Sequence, residues 1–500
     1  MTLTLTNARI PGERGLIGSL INVVINDGII TDIEFVGATG AINLSRLDGD
    51  PSEGDTIDLG GRYLIPGLWD NHVHFTQWAQ SRRRLDVTTA NSVAEVCERL
   101  QEWLAVHPGP VVGFGWRGSL WDIAPTKEAL DAITTDVPVV LISGDFHSAW
   151  LNSAALAERG ITHDTGLLVE DEAFAVTAGL DNVPQETLDE WVAEAAHAAA
   201  ARGIVGIVDF EWDWNVASWR RRMGNGLDCL RVEFGIYTED LDRAIETGLR
   251  SGDTIASTDG LLRVGSYKVI TDGSLGTRTA FCHDPYPGMS GPGSRGMLNV
   301  AFPELVNNMA KADSAGITSA IHAIGDDANS IALNAFEAVG CSGSIEHAQL
   351  LSWEDIHRFA ELGIVASVQP EHAMDDREAA DVLWAQRTDR TYPFATMLAA
   401  GVQLAFGSDA PVAPLDPWFG IASAIERTRD DQAPWHPEQR ISPEAALAAS
   451  SRSRVAVGEP ADLVVVESDP LFASGPELRA MPVWATFIAG RQTYSAGDEA

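Results

Sequence analysis

The chain has 500 residues, 71 acidic against 34 basic, for a formal net charge of -37. Such a surface repels nucleic acid and anionic membrane, so neither is an expected partner; a small-molecule substrate is expected, which the charge itself does not identify. Hydrophobic residues make up 45% and charged residues 21%, ordinary for a soluble globular protein but too many residues for one compact core.

In chain order, Met1-Thr2-Leu3-Thr4-Leu5-Thr6 lacks the basic and apolar regions of a secretory leader. No apolar run approaches membrane-spanning length, so a cytoplasmic location is expected, with a homodimer left open. Residues 4–10 alternate, and Ile21-Asn22-Val23-Val24-Ile25 meets Ile29-Ile30-Thr31-Asp32-Ile33 across Asn26-Asp27-Gly28, a hairpin signal. Beyond them, β-rich apolar segments alternate with Ala- and Glu-rich helical ones, the pattern of βα units around a parallel sheet. Strands are expected at 64–69, 204–209, 231–236, 264–270, 317–322, 344–347, 364–369 and 403–407. Eight is the number that closes a (β/α)8 TIM-like barrel, an α/β fold. Two further strands, 111–114 and 139–142, fall in a stretch far too long for a βα connection and are assigned to a subdomain inserted at about 80–200. Residues 462–466 and 484–488 repeat the strand texture of the N-terminus. Neither end can bury a sheet alone, so 1–62 and 455–500 are expected to form one small β-sandwich beside a barrel spanning 63–454. Cys97, Cys229, Cys282 and Cys341 are scattered without a CxxC and read as reduced thiols.

Chemistry-bearing residues gather at the expected strand ends, where barrels of this type place their catalytic groups. His72 and His74 follow the first strand and, two apart, point the same way. Lys268 lies in the fourth, His322 ends the fifth, His347 the sixth, and Asp409 the eighth. Neutral imidazoles suit zinc and similar metals, and Asp adds a hard oxygen ligand. Lysine cannot ligate as an ammonium, but its carbamate with carbon dioxide is an anionic oxygen donor able to bridge two ions. A buried lysine charge is costly, and only Lys127, Lys268 and Lys311 occur in the chain. An HxH pair on a surface and an edge-strand lysine snorkelling to solvent are the plain structural alternatives. His372, at the seventh strand end, suits either substrate contact or a structural hydrogen bond. Trp116, Arg117 and Trp121 suit a pocket wall or, for the tryptophans, a core.

The motifs resemble the amidohydrolase superfamily, and within it the amidohydrolase-3 group that includes N-substituted formamide deformylases. They are Ile65-Pro66-Gly67-Leu68-Trp69-Asp70-Asn71-His72-Val73-His74, Tyr267-Lys268 with Thr271-Asp272-Gly273-Ser274-Leu275-Gly276-Thr277-Arg278, and Ser367-Val368-Gln369-Pro370-Glu371-His372. Gly407-Ser408-Asp409-Ala410-Pro411-Val412 and Ala461-Asp462-Leu463-Val464-Val465 complete the match. The resemblance implies that His72, His74, Lys268, His322, His347 and Asp409 hold one or two divalent ions, zinc being expected, and that Lys268 is carboxylated. It departs in two places. The stretch 452–460 is short, and Gly144-Asp145-Phe146-His147-Ser148-Ala149 replaces a DGH-like segment, which bears on His147 as a substrate contact.

The expected activity is hydrolysis of a non-peptide, amide-type C–N bond by metal-activated water, with Asp409 as general base and then acid. Ester hydrolysis, deamination, decarboxylation and an inactive scaffold are the alternatives. Deamination is disfavoured because Ala323-Ile324-Gly325 follows His322 where a ring-protonating Glu is wanted; a scaffold is disfavoured because all six candidate ligands are present.

Overall fold

The computed structural model describes residues 2–12, 20–36, 55–119, 121–178, 180, 183–430 and 432–497. Eight parallel strands follow one another round a barrel: β1 (Leu68–Val73), β2 (Ile204–Asp209), β3 (Arg231–Ile236), β4 (Leu262–Ile270), β5 (Ser319–Ala323), β6 (Gly343–His347), β7 (Val365–Val368) and β8 (Leu404–Phe406). Both faces of such a sheet are buried, which is why these strands read as continuous apolar runs rather than alternating ones. β8 returns to β1 just past its end, where Asp409 N donates to His72 O at 2.7 Å and His74 N donates to Ala410 O at 2.9 Å. Gly407 is required at this seam, because a Cβ there would sit 2.6 Å from His72 N. The closure of the barrel and the placement of three candidate ligands are therefore one event.

The first expected strand is two. Tyr63–Pro66 pairs antiparallel with Leu463–Val466 of a terminal sheet, and the barrel strand begins at Leu68. The apolar run does not reveal the break because each half is buried in a different sheet. Gly67 marks the passage: a Cβ there would meet Val205 at 2.5 Å. Gly67→Ala is expected to cost about 1–3 kcal/mol by overpacking, read as a lower midpoint in denaturant unfolding.

Between β1 and β2 lies a five-stranded sheet in the order Leu167–Val169, Ser148–Leu151, Val139–Ser143, Val111–Trp116, Leu85–Asp86. It has its own core, with Val96, Leu100, Leu130, Leu141 and Trp150 buried together. The helix Gln185–Ala200 instead buries Val192, Ala195, Ala196 and Ala199 in the barrel core, as the helix leading into β2. At the termini, Thr2–Ala8, Ile21–Asn26, Ile29–Phe35 and Asp55–Asp58 form one four-stranded sheet. Tyr63–Pro66, Leu463–Val466, Val483–Ile488 and Arg491–Ser495 form another. Leu5, Val23, Leu64, Leu463, Val465 and Phe487 share one apolar core between them. Asp27 and Gly28 both take positive φ, the geometry a two-residue hairpin turn demands.

Candidate active site

His72 is the next-to-last residue of β1, 1% exposed, and His74 directly follows the strand as the N-cap of the helix Phe75–Ser81. Their rings are 5.8 Å apart. Asp409 faces both, with Oδ1 3.5 Å from His72 Nε2 and 3.4 Å from His74 Nε2. Two donors about 2.1 Å from a tetrahedral ion are separated by about 3.4 Å, so these spacings are those of ligands around one ion. His347 is 4.0 Å from Asp409 Oδ2 through Nδ1, its ring 4.8 Å from that of His72. The ligating atoms of His72, His347 and Asp409 all fall within 4.8 Å of one another. His322 closes the group, its ring 4.4 Å from that of His347. His347 and Asp409 both have positive φ, 75° and 57°. The backbone bends at these strand ends to turn each side chain inward, a strain characteristic of functional positions.

Partners behind the ligands fix their orientation. His72 Nδ1 lies 2.6 Å from Glu346 Oε2, and Ser344 Oγ donates to the other oxygen of that carboxylate. A carboxylate on the far nitrogen of an imidazole sets its tautomer and leaves Nε2 for a metal. His347 Nδ1 lies 2.9 Å from Gln369 Oε1. Asp70 accepts from His72 N at 3.1 Å and from Ser408 N at 3.0 Å, tying β1 to the residue before Asp409. Glu346→Gln is expected to lower metal affinity about 10–100-fold, measured by competition against a chromogenic chelator.

Burial dominates the electrostatics. It pushes the imidazoles of His72, His322 and His347 below their ordinary value, helped for each by neighbouring charges including Lys268. Burial also raises the Asp409 carboxyl, but the facing imidazoles of His72, His74 and His347 outweigh it and hold the group well below the carboxylate range. Lys268 is 2% exposed with its amine over the Phe210 ring at 4.6 Å, and burial brings its pKa down to about 8. Among the described residues, Lys268 Nζ, His322 Nε2 and His74 Nδ1 are buried without a hydrogen-bond partner, although His322 Nε2 lies 3.4 Å from Asp272 Oδ1. Buried polar atoms are normally satisfied. Unsatisfied buried groups here, beside imidazoles and an ionised carboxylate, fit a cation-binding centre.

A cavity of about 380 Å³ opens over these groups between the barrel and the inserted sheet. His72, His74, Lys268, His322, His347 and Asp409 all line it. Arg117, His147 and His372 reach it as well. Arg117 donates through Nη2 to Asp375 Oδ2 at 3.0 Å and to Val412 O at 2.8 Å. His147 Nδ1 lies 2.9 Å from Glu170 Oε2, which raises the imidazole pKa despite the opposing effect of burial. His372 stacks parallel to His347 at 6.4 Å and leaves Nε2 unpartnered. Trp116 does not line the cavity, contrary to the substrate-facing role considered for it. It is 4% exposed, donates from Nε1 to Leu141 O at 3.0 Å, and packs against Trp121 and Trp150 in the core of the insertion. The strand ends at Trp116, and Gly115 before it takes a φ of 109°, so the chain turns here: Arg117 reaches the cavity while Trp116 faces inward.

Residues 55–494 match the sequence profile of the amidohydrolase family. Protein LONG AFTER FAR-RED 3 of Arabidopsis thaliana is 30% identical over 493 positions, covering 88% of this chain and 83% of its own. N-substituted formamide deformylase of Arthrobacter pascens is 25% identical, covering 88% of this chain and 90% of its own. The crystal structure of an uncharacterized metal-dependent hydrolase from Pyrococcus horikoshii OT3 superposes with a TM-score of 0.77 at 26% identity, over 95% of this chain and 99% of that one.

Proposed function

The chain belongs to the amidohydrolase family and is a metal-dependent hydrolase, and from that premise we propose that it cleaves a non-peptide, amide-type C–N bond of a small molecule. The observation that carries this reading is the ionised Asp409 set 3.4–3.5 Å from two imidazoles at the floor of the cavity. The relative that deformylates N-substituted formamides supports the bond type.

His72, His74, His322, His347 and Asp409 would hold divalent metal, zinc being the best match to this nitrogen-rich set, with Lys268 joining as its carbamate. Burial brings the Lys268 amine partly into its neutral form near pH 8, the form that adds to carbon dioxide. Bound there, the metal supplies Lewis acidity that acidifies water and polarises a carbonyl. Asp409 accepts the proton of the attacking water on its carboxylate and delivers it to the departing nitrogen. Glu346 holds His72 in place throughout by its 2.6 Å contact. His147, anchored through Nδ1 by Glu170, presents Nε2 to a polar atom of the substrate, and Arg117 and His372 offer further polar contacts along the same wall.

The test is a screen of N-formyl amines, N-acyl amino acids, cyclic ureas and aryl esters against zinc-reconstituted protein. Release of free amine from one of the amide classes is expected. Turnover confined to esters would assign a different bond to the same centre.

A further inference from the structure

Part of the cavity wall is aromatic, and one residue there holds a backbone conformation its side chain disfavours. Phe146 has a φ of 62°, in the left-handed region that bulky residues rarely enter and glycine enters freely. Both neighbours are fastened. Asp145 accepts from Ser143 Oγ at 2.6 Å, from His147 N at 3.2 Å and from Ser274 Oγ at 3.1 Å. His147 is tied to Glu170, which accepts in turn from Thr277 and Thr279 of the loop after β4. Phe146 N itself donates to Ser143 O at 3.1 Å. The turn is thus set by its surroundings, and glycine would satisfy it without strain.

The Phe146 ring, half-buried, lies 4.9 Å from that of Phe114 and lines the cavity. Phe174 and Trp212 continue the wall, their rings perpendicular at 5.4 Å, and Trp212 is 45% exposed. The carboxylates beside them, Asp145 and Glu170, are occupied by the hydrogen bonds above, so the face made by Phe146, Phe174 and Trp212 offers apolar contact. A strained residue kept at a ligand-facing position points to a need for its side chain there.

Resting on the C–N hydrolysis proposed above, we propose that Phe146 determines specificity: with Phe174 and Trp212 its ring receives an apolar substituent of the substrate and limits that substituent's size.

Phe146→Gly and Phe146→Ala, made in the zinc-loaded full chain, separate the ring from the strain. Both remove the ring, and only glycine also removes the strain. F146G is expected to melt above F146A, reversing the order at ordinary positions. Both variants are expected to lose about tenfold or more in kcat/KM for compact apolar substituents, and to gain relative preference for bulkier ones. The panel consists of matched amides and esters graded from methyl to naphthylmethyl, with dissociation constants by calorimetry for compounds not turned over. A shifted size profile confined to esters would retire the C–N reading and keep the role of Phe146. An unchanged size profile in both variants would make Phe146 a packing residue and overturn the inference. F146A melting at or above F146G would overturn its strain argument.

Discussion

Asp409→Asn is expected to lower turnover by about two to four orders of magnitude, the usual worth of a positioned general acid–base, while keeping the fold and much of the metal. Asparagine preserves the shape and one oxygen facing His72 and His74, 3.5 and 3.4 Å away in the native chain. It cannot take up a proton. The backbone N–H that closes the barrel on His72 O is untouched by the substitution. Saturating kcat measured beside metal content separates the two roles of the carboxylate. Near-normal turnover would move the proton transfer elsewhere, to His147 or His372, both on the same cavity wall.

Lys268→Ala is expected to abolish measurable activity and to cost at least one metal equivalent, with partial return of both in short-chain carboxylic acids that restore an oxygen donor. Lys268 is 2% exposed, its amine lacks a hydrogen-bond partner among the described residues, and it faces the charges of Glu346 and Asp409. Such a group is a burden to an unliganded fold. Lys268→Met, which keeps the stem's volume, should therefore unfold no earlier than metal-stripped wild type. Unchanged metal content and turnover in the alanine variant would refute the ligand role, and a large stability loss in the methionine variant would mark Lys268 as structural.

The barrel was legible because its strands are buried on both faces: β2 and β3 fall where the apolar runs place them, β4 to β8 differ at their ends by one or two residues, and β1 lies four residues later than expected. The break at Gly67 was not, because composition cannot tell one buried sheet from the next. His72, His74, His322, His347 and Asp409 were findable as polar residues closing apolar strands. Glu346 carries the same signal, an acid within Ser344-Ile345-Glu346-His347, and the reasoning that singled out Lys268 applies to it equally. Its partner His72 lies 274 residues away, so no local spacing marks the pair. Asp70 is also readable in hindsight, two residues before His72 and on the same side of β1. The cavity wall was the least legible part. Arg117 and Trp116 are adjacent in sequence, yet one faces the cavity and the other the insertion core. That division depends on where the strand ends and on the positive φ of Gly115, which local composition does not set.

The four imidazoles, Lys268 and Asp409 are proposed to form one metal centre that performs hydrolysis. The most direct test is metal titration of chelator-stripped protein, with bound zinc and substrate hydrolysis followed in the same samples. Hydrolysis should be absent from the stripped chain and rise in proportion to the first one or two equivalents bound. Hydrolysis that persists in the stripped protein, or zinc that binds with no gain in activity on any compound of the panel, would contradict the account.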